Sequence, residues 1–119
     1  MSVETAAILD EAANVIRRNG LHKGAMFTPA GRKKVEDCPV CTWGALAIAV
    51  CGTPDLPTNG ELRKVMPVAQ ALAKHLGLGT AGDDALWTIP DWNDNPDRTA
   101  EQVIAALESA ARAEREAAS

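Results

Sequence analysis

Residues 38–51 read CPVCTWGALAIAVC, and from Trp43 to Cys51 no position carries a charged or amide side chain. Wound into a helix, such a run is apolar on every face, and a helix of that kind holds in water only when other elements enclose it. It is also about half the ~20 residues needed to span a bilayer, so burial inside protein is the remaining solution. Asp37 reads as an N-cap with Pro39 in the first turn, where a missing N–H costs nothing, which sets the helix at about 40–51. Gly52, Pro54 and Pro57 follow as stops.

The rest of the chain supplies amphipathic helices to do the enclosing. Ile8, Leu9, Ala12, Val15 and Ile16 form one stripe of a helix over about 3–19, with Ser2 as its cap and Gly20 as its left-handed stop. Thr58-Asn59-Gly60-Glu61 has capping-box spacing, and Leu62, Val65, Met66, Ala69, Ala73 and Leu76 continue a helical stripe to Gly77. Pro67 lies inside that stripe and should kink the helix or restart it, because proline removes one backbone hydrogen bond. Asp83 or Asp84 opens a short turn through Trp87, followed by a loop, TIPDWNDNPDR. Thr99 and Gln102 then form a second capping box ahead of a last helix carrying Val103, Ile104, Leu107, Ala110 and Ala111, fraying after about Arg112. Between the first two helices, Gly24, Pro29 and Gly31 mark an irregular connection with room for a minor hairpin near 25–35.

The expected fold is therefore all-α, a compact bundle of four to five helices around the apolar one, as a single domain over 1–119. The chain length of 119 residues allows about two-thirds of the unfolded surface to be buried, enough for a core without disulfide staples. Aromatic residues are only 3%, with alanine prominent in the apolar fraction, which suits closely approaching helices.

Charge and cysteine usage narrow the function classes. A net charge of −4 offers no global positive field for a phosphate backbone, so nucleic acid is not an expected partner. The local triplet Arg32-Lys33-Lys34 reads as a solvated turn. The N-terminus has acids where a secretory signal needs bases, no membrane span is expected, and three cysteines without an export signal point to reduced thiols in a cytoplasm.

Cys38 and Cys41 have the spacing of a dithiol redox site, but such sites follow a strand in an α/β fold. A zinc site would need further ligands from Cys51, His22 and His75. Cys51 lies about 15 Å along a helix from Cys41, and the two histidines lack paired spacing, so no metal or cofactor is expected. A single nucleophile, Cys41 with His22 or His75 as base, is the sharper enzymatic alternative.

Two stretches together carry a resemblance: Cys41-Thr42-Trp43-Gly44-Ala45-Leu46, and Trp92-Asn93-Asp94-Asn95-Pro96 followed by Thr99 and Val103. They resemble a family of small actinobacterial and phage proteins known only as a domain of unknown function. Its members similarly open with an amphipathic helix, carry Cys-x-Leu-Gly-Ala mid-chain and close with Trp-Asn-Asp, a short turn and a last helix. This chain departs in having Trp43 at the usual leucine and Leu21 where tryptophan commonly follows the first helix's glycine. The resemblance implies an architecture and no activity.

The functional expectation is a small non-enzymatic module that binds a protein partner, in the host cytoplasm if phage-encoded, with Trp92, Asn93 and Asp94 as the binding residues. Trp92 is expected to press on Gly44, whose helix-weakening cost of about 1 kcal/mol asks for a close neighbour. Asn93 and Asp94 would then offer acceptors to a helix start. The alternative is a thiol-dependent enzyme using Cys41.

Overall fold

In the computed structural model, which describes residues 2–25, 27, 34–55 and 59–118, the chain forms five helices. They are α1 (Ser2–Asn19), α2 (Thr42–Cys51), α3 (Asn59–His75), α4 (Ala85–Asn93) and α5 (Ala100–Ala118), with a 3-10 turn at Val35–Asp37. The all-α bundle expected from the sequence is what forms. Among the described residues no helix is long and apolar enough to cross a membrane.

α1 buries Leu9, Ala12, Val15 and Ile16 as its stripe requires, with Ile8 half-buried at the edge. Gly20, at φ 95°, turns the chain out of the helix while its N–H still bonds the Ile16 carbonyl at 2.9 Å. α1 shares its largest interface with α5. Arg17 meets Glu108 at 2.8 Å and Asp10 meets Arg115 at 2.6 Å, a pairing order that makes the two helices antiparallel. The second pair lies beyond Arg112, and α5 continues to Ala118 rather than fraying where the apolar stripe runs out. Its start is the expected capping box: Thr99 N–H donates to Gln102 Oε1 at 3.0 Å, and Gln102 N–H to Thr99 Oγ1 at 3.1 Å.

α2 starts later than expected. Asp37 closes the 3-10 turn instead of capping a helix, and Cys38 (ψ 155°) and Cys41 (ψ 177°) are extended. Two causes act together. A residue preceding proline is pushed out of the helical region, which fixes Cys38. Val40 is then taken by pairing: its N–H donates to Gly20 O at 3.1 Å, its carbonyl accepts His22 N–H at 2.8 Å, and it bridges Leu21 and Phe27. Asn19 Nδ2 ties the same segment to the end of α1 through the Glu36 and Cys38 carbonyls. The minor hairpin expected near 25–35 falls largely outside the described residues, as do Arg32, Lys33 and the cap at Thr58.

The first six residues of α2, Thr42 to Ala47, are buried, whereas Ile48 to Cys51 emerge half-exposed. α2 packs on α1, α3 and α4 and is buried through its first six residues, and α3 packs on α1, α2, α4 and α5. α3 runs unbroken through Pro67, which sits at an exposed position while Val65, Val68, Ala69, Leu72 and Ala73 hold the buried side. It ends at Gly77 (φ 72°), where Gly77 N–H bonds Lys74 O and Leu78 N–H bonds Ala73 O, the paired bonds of a Schellman stop.

The largest departure is α4. The segment expected to be a loop after Trp87 is helical through Asn93, Pro90 included. Ala85, Ile89 and Asn93 recur every four residues and are all fully buried. Packing of that stripe outweighs the one hydrogen bond that Pro90 removes.

Candidate binding site at the start of α2 and along α4

The first turn of α2 leaves backbone N–H groups that need acceptors, and the chain meets them with side chains from two directions. Cys41 is the N-cap: its Sγ accepts the Gly44 N–H at 3.4 Å. Asn93, at the last turn of α4, places Oδ1 2.9 Å from the Thr42 N and 2.7 Å from the Thr42 hydroxyl, accepting from both. Its Nδ2 donates to the His22 carbonyl and to Asp94 Oδ1, each at 3.1 Å. Two donors on one side and two acceptors on the other fix the orientation of the amide. Asn93 is fully buried, and among the described residues the other buried polar side chain is its partner Thr42.

The surrounding contacts extend this clasp. Asp94 Oδ1 accepts the Gly24 N–H at 3.0 Å, and Lys23 Nζ donates to the Asn95 carbonyl at 2.7 Å. Trp43 donates its indole N–H to Ala85 O at 2.8 Å, tying α2 to the first turn of α4. Trp92 is half-buried against the core, with the Arg98 guanidinium 4.1 Å from its ring centroid and the Arg98 Nε bonded to its own carbonyl. The expected polar contact with the start of α2 is present, and the side chain that makes it is Asn93.

These residues enclose a crevice of about 140 Å³ lined by Gly24, Ala25, Cys41, Trp43, Pro90 and Asp94. Burial pushes the Cys41 thiol above its ordinary value, and the Asp94 carboxylate adds to the rise, against the opposing help of the Gly44 N–H. Cys41 is therefore a protonated thiol near neutral pH, the reverse of an activated nucleophile. His22 joins the site through its main chain. His75 lies elsewhere, its Nε2 2.9 Å from Ser109 Oγ, beside a groove of about 600 Å³ that also involves Pro67, Lys74 and Glu114.

The three free cysteines serve separate places. Cys38 Sγ lies 3.4 Å from Lys34 O, and Cys51 Sγ 3.9 Å from Glu61 O. Cys38 and Cys41 are both extended in backbone, and both thiols are free. Among the described residues no group of three or more His, Cys, Asp or Glu side chains is arranged as metal ligands would be.

One surface feature is absent from the sequence reading. Trp87, on the face of α4 opposite Ala85 and Ile89, is 62% exposed, although indoles are ordinarily well covered. The signal was available: extending the four-residue stripe past Pro90 puts Trp87 on the outer side.

Taken together, the geometry defines a five-helix bundle in which, among the described residues, a buried polar cluster holds helices together and the exposed indole lies on a single short helix. The chain belongs to a family of unknown function, DUF6197, whose family model matches residues 1–113. Neither the curated proteins nor the solved structures searched gave a significant match.

Proposed function

We propose that this protein is a non-enzymatic protein-binding module, working in a reducing cytoplasm, and that the outer face of α4 is its contact surface. The observation that carries the reading is Trp87: a large side chain, 62% exposed, on a helix held from behind by Asn93 and Trp43. A rigid, solvent-facing indole gives contact area at little ordering cost, which is why tryptophan dominates binding hot spots. Of the three residues first expected to bind, Asn93 is consumed in the clasp and Trp92 by Arg98. Asp94 shares in the clasp through Oδ1 but is exposed at the end of α4, at the edge of the surface.

The thiol-enzyme alternative draws on Cys41 lining a crevice, but its protonated thiol is spent on the α2 cap, and among the described residues no hydrogen bond links it to either histidine. The test compares proteins retained from a host lysate by the wild-type chain and by Trp87→Ala, whose stability should change by no more than about 0.5 kcal/mol. A partner held by the first and lost by the second supports the module. Identical retention by both proteins, or turnover that depends on Cys41, overturns it.

A further inference from the structure

Residues 76–97 contain five aspartates and no lysine or arginine, more negative charge than the net −4 of the whole chain. α4 arranges that charge around Trp87. Asp83 and Asp84 lie one turn before it, in the turn whose carbonyls already accept the Leu86, Trp87 and Thr88 N–H groups, and Asp91 lies one turn after. Asp83 and Asp91 stand four positions before and after Trp87, the spacing that sets side chains on the same side of a helix, whereas the Asp84 carboxylate lies against Gly79. Asp83 and Asp91 are exposed, and among the described residues no ion pair involves Asp83, Asp84 or Asp91.

The same helix shows what such a surface accepts. Trp92 is stacked by the guanidinium of Arg98, 4.1 Å from its centroid. Trp87, five residues earlier, has no cation over its ring among the described residues, while Asp83 and Asp91 stand four positions to either side of it. A guanidinium placed there would meet an indole face and flanking carboxylates together, the combination that arginine's planar fork favours.

We propose, building on the protein-binding reading, that the partner presents a basic segment whose arginine stacks on Trp87 between Asp83 and Asp91. Nucleic acids and anionic membranes bring the wrong charge to this face. A second copy docking α4 against α4 would set carboxylates against carboxylates, so the occupant is a different, cationic protein surface.

The test uses the full chain, isotope-labelled, titrated with a short peptide alternating arginine and alanine and with a matched peptide carrying glutamine for arginine. The Trp87 indole resonance should move with the arginine peptide alone, while that of buried Trp43 stays. Trp87→Ala, and the pair Asp83→Asn with Asp91→Asn, should each weaken binding about tenfold. The pair Glu4→Gln with Glu101→Gln, which removes equal charge elsewhere, should change it less than about twofold.

Equal weakening by the two pairs, an unmoved Trp87 resonance, or Trp87-dependent self-association in sedimentation overturns the basic partner. The protein-binding reading fails separately. A lysate protein that depends on Trp87, alongside an inert arginine peptide, removes only the basic partner. Peptide binding with no Trp87-dependent protein removes the protein-binding reading and, with it, the partner inferred here.

Discussion

Replacing Asn93 by leucine, a side chain of similar size, removes one amide and leaves four groups without their partner. The Thr42 N–H is a first-turn donor of α2, with no intrahelical acceptor, and in the wild type it meets Oδ1 at 2.9 Å in a fully buried setting. Leaving a buried donor unsatisfied costs about 1–3 kcal/mol. The His22 carbonyl loses a 3.1 Å donor as well, whereas the Thr42 hydroxyl can rotate and Asp94 keeps the Gly24 N–H. Counting the first two groups in full gives about 2–6 kcal/mol, against the roughly 5–15 kcal/mol that holds a typical native fold together. Thr42→Val keeps the backbone bond and loses only the hydroxyl contact, so about 1 kcal/mol is expected. Urea unfolding followed by helical circular dichroism measures both. Asn93→Leu within about 0.5 kcal/mol of wild type, or no worse than Thr42→Val, would refute the view that this amide holds α4 to α2.

Cys41 should alkylate slowly at neutral pH and gain reactivity only on the alkaline side. Its folded pKa lies above the unfolded value, so the folded state holds the proton more tightly, and the associated stability is lost as pH rises past about 8.5; peptide mapping of alkylation against pH checks this. Leu46→Ala, fully buried, should cost about 2–5 kcal/mol, with half-buried Ile104→Ala costing less and exposed Lys74→Ala staying within about 0.5 kcal/mol, as read from denaturant midpoints. Thr99→Ala should cost about 0.5–2 kcal/mol by removing one arm of the capping box, and Gln102→Ala should cost little more when added to it, because the two bonds form one reciprocal pair; a double-mutant cycle reads the coupling.

What the sequence determined by itself is what depends on neighbours a few residues apart. The stripes of α1, α3 and α5, the Gly20 and Gly77 stops and the Thr99–Gln102 box are all settled within one or two turns of backbone, and each stands where its spacing places it. Family membership was suggested by short stretches of residues, and the family model covers residues 1–113. The tertiary structure decided the rest. Asp37 and Pro39 have the local form of a helix start, but the segment is extended because Val40 pairs with Gly20 and His22, contacts that no window around Pro39 contains. Pro90 reads locally as an interruption, and α4 crosses it because Ile89 and Asn93 are buried against distant helices. The candidate site follows the same division. Asn93 and Thr42 are 51 residues apart, Asn93 and His22 are 71, and an Asx turn in the sequence looks the same whether its amide faces water or caps another helix. Trp87 is exposed only once α4 has a buried side, and that side exists because α2 and α3 are there to cover it.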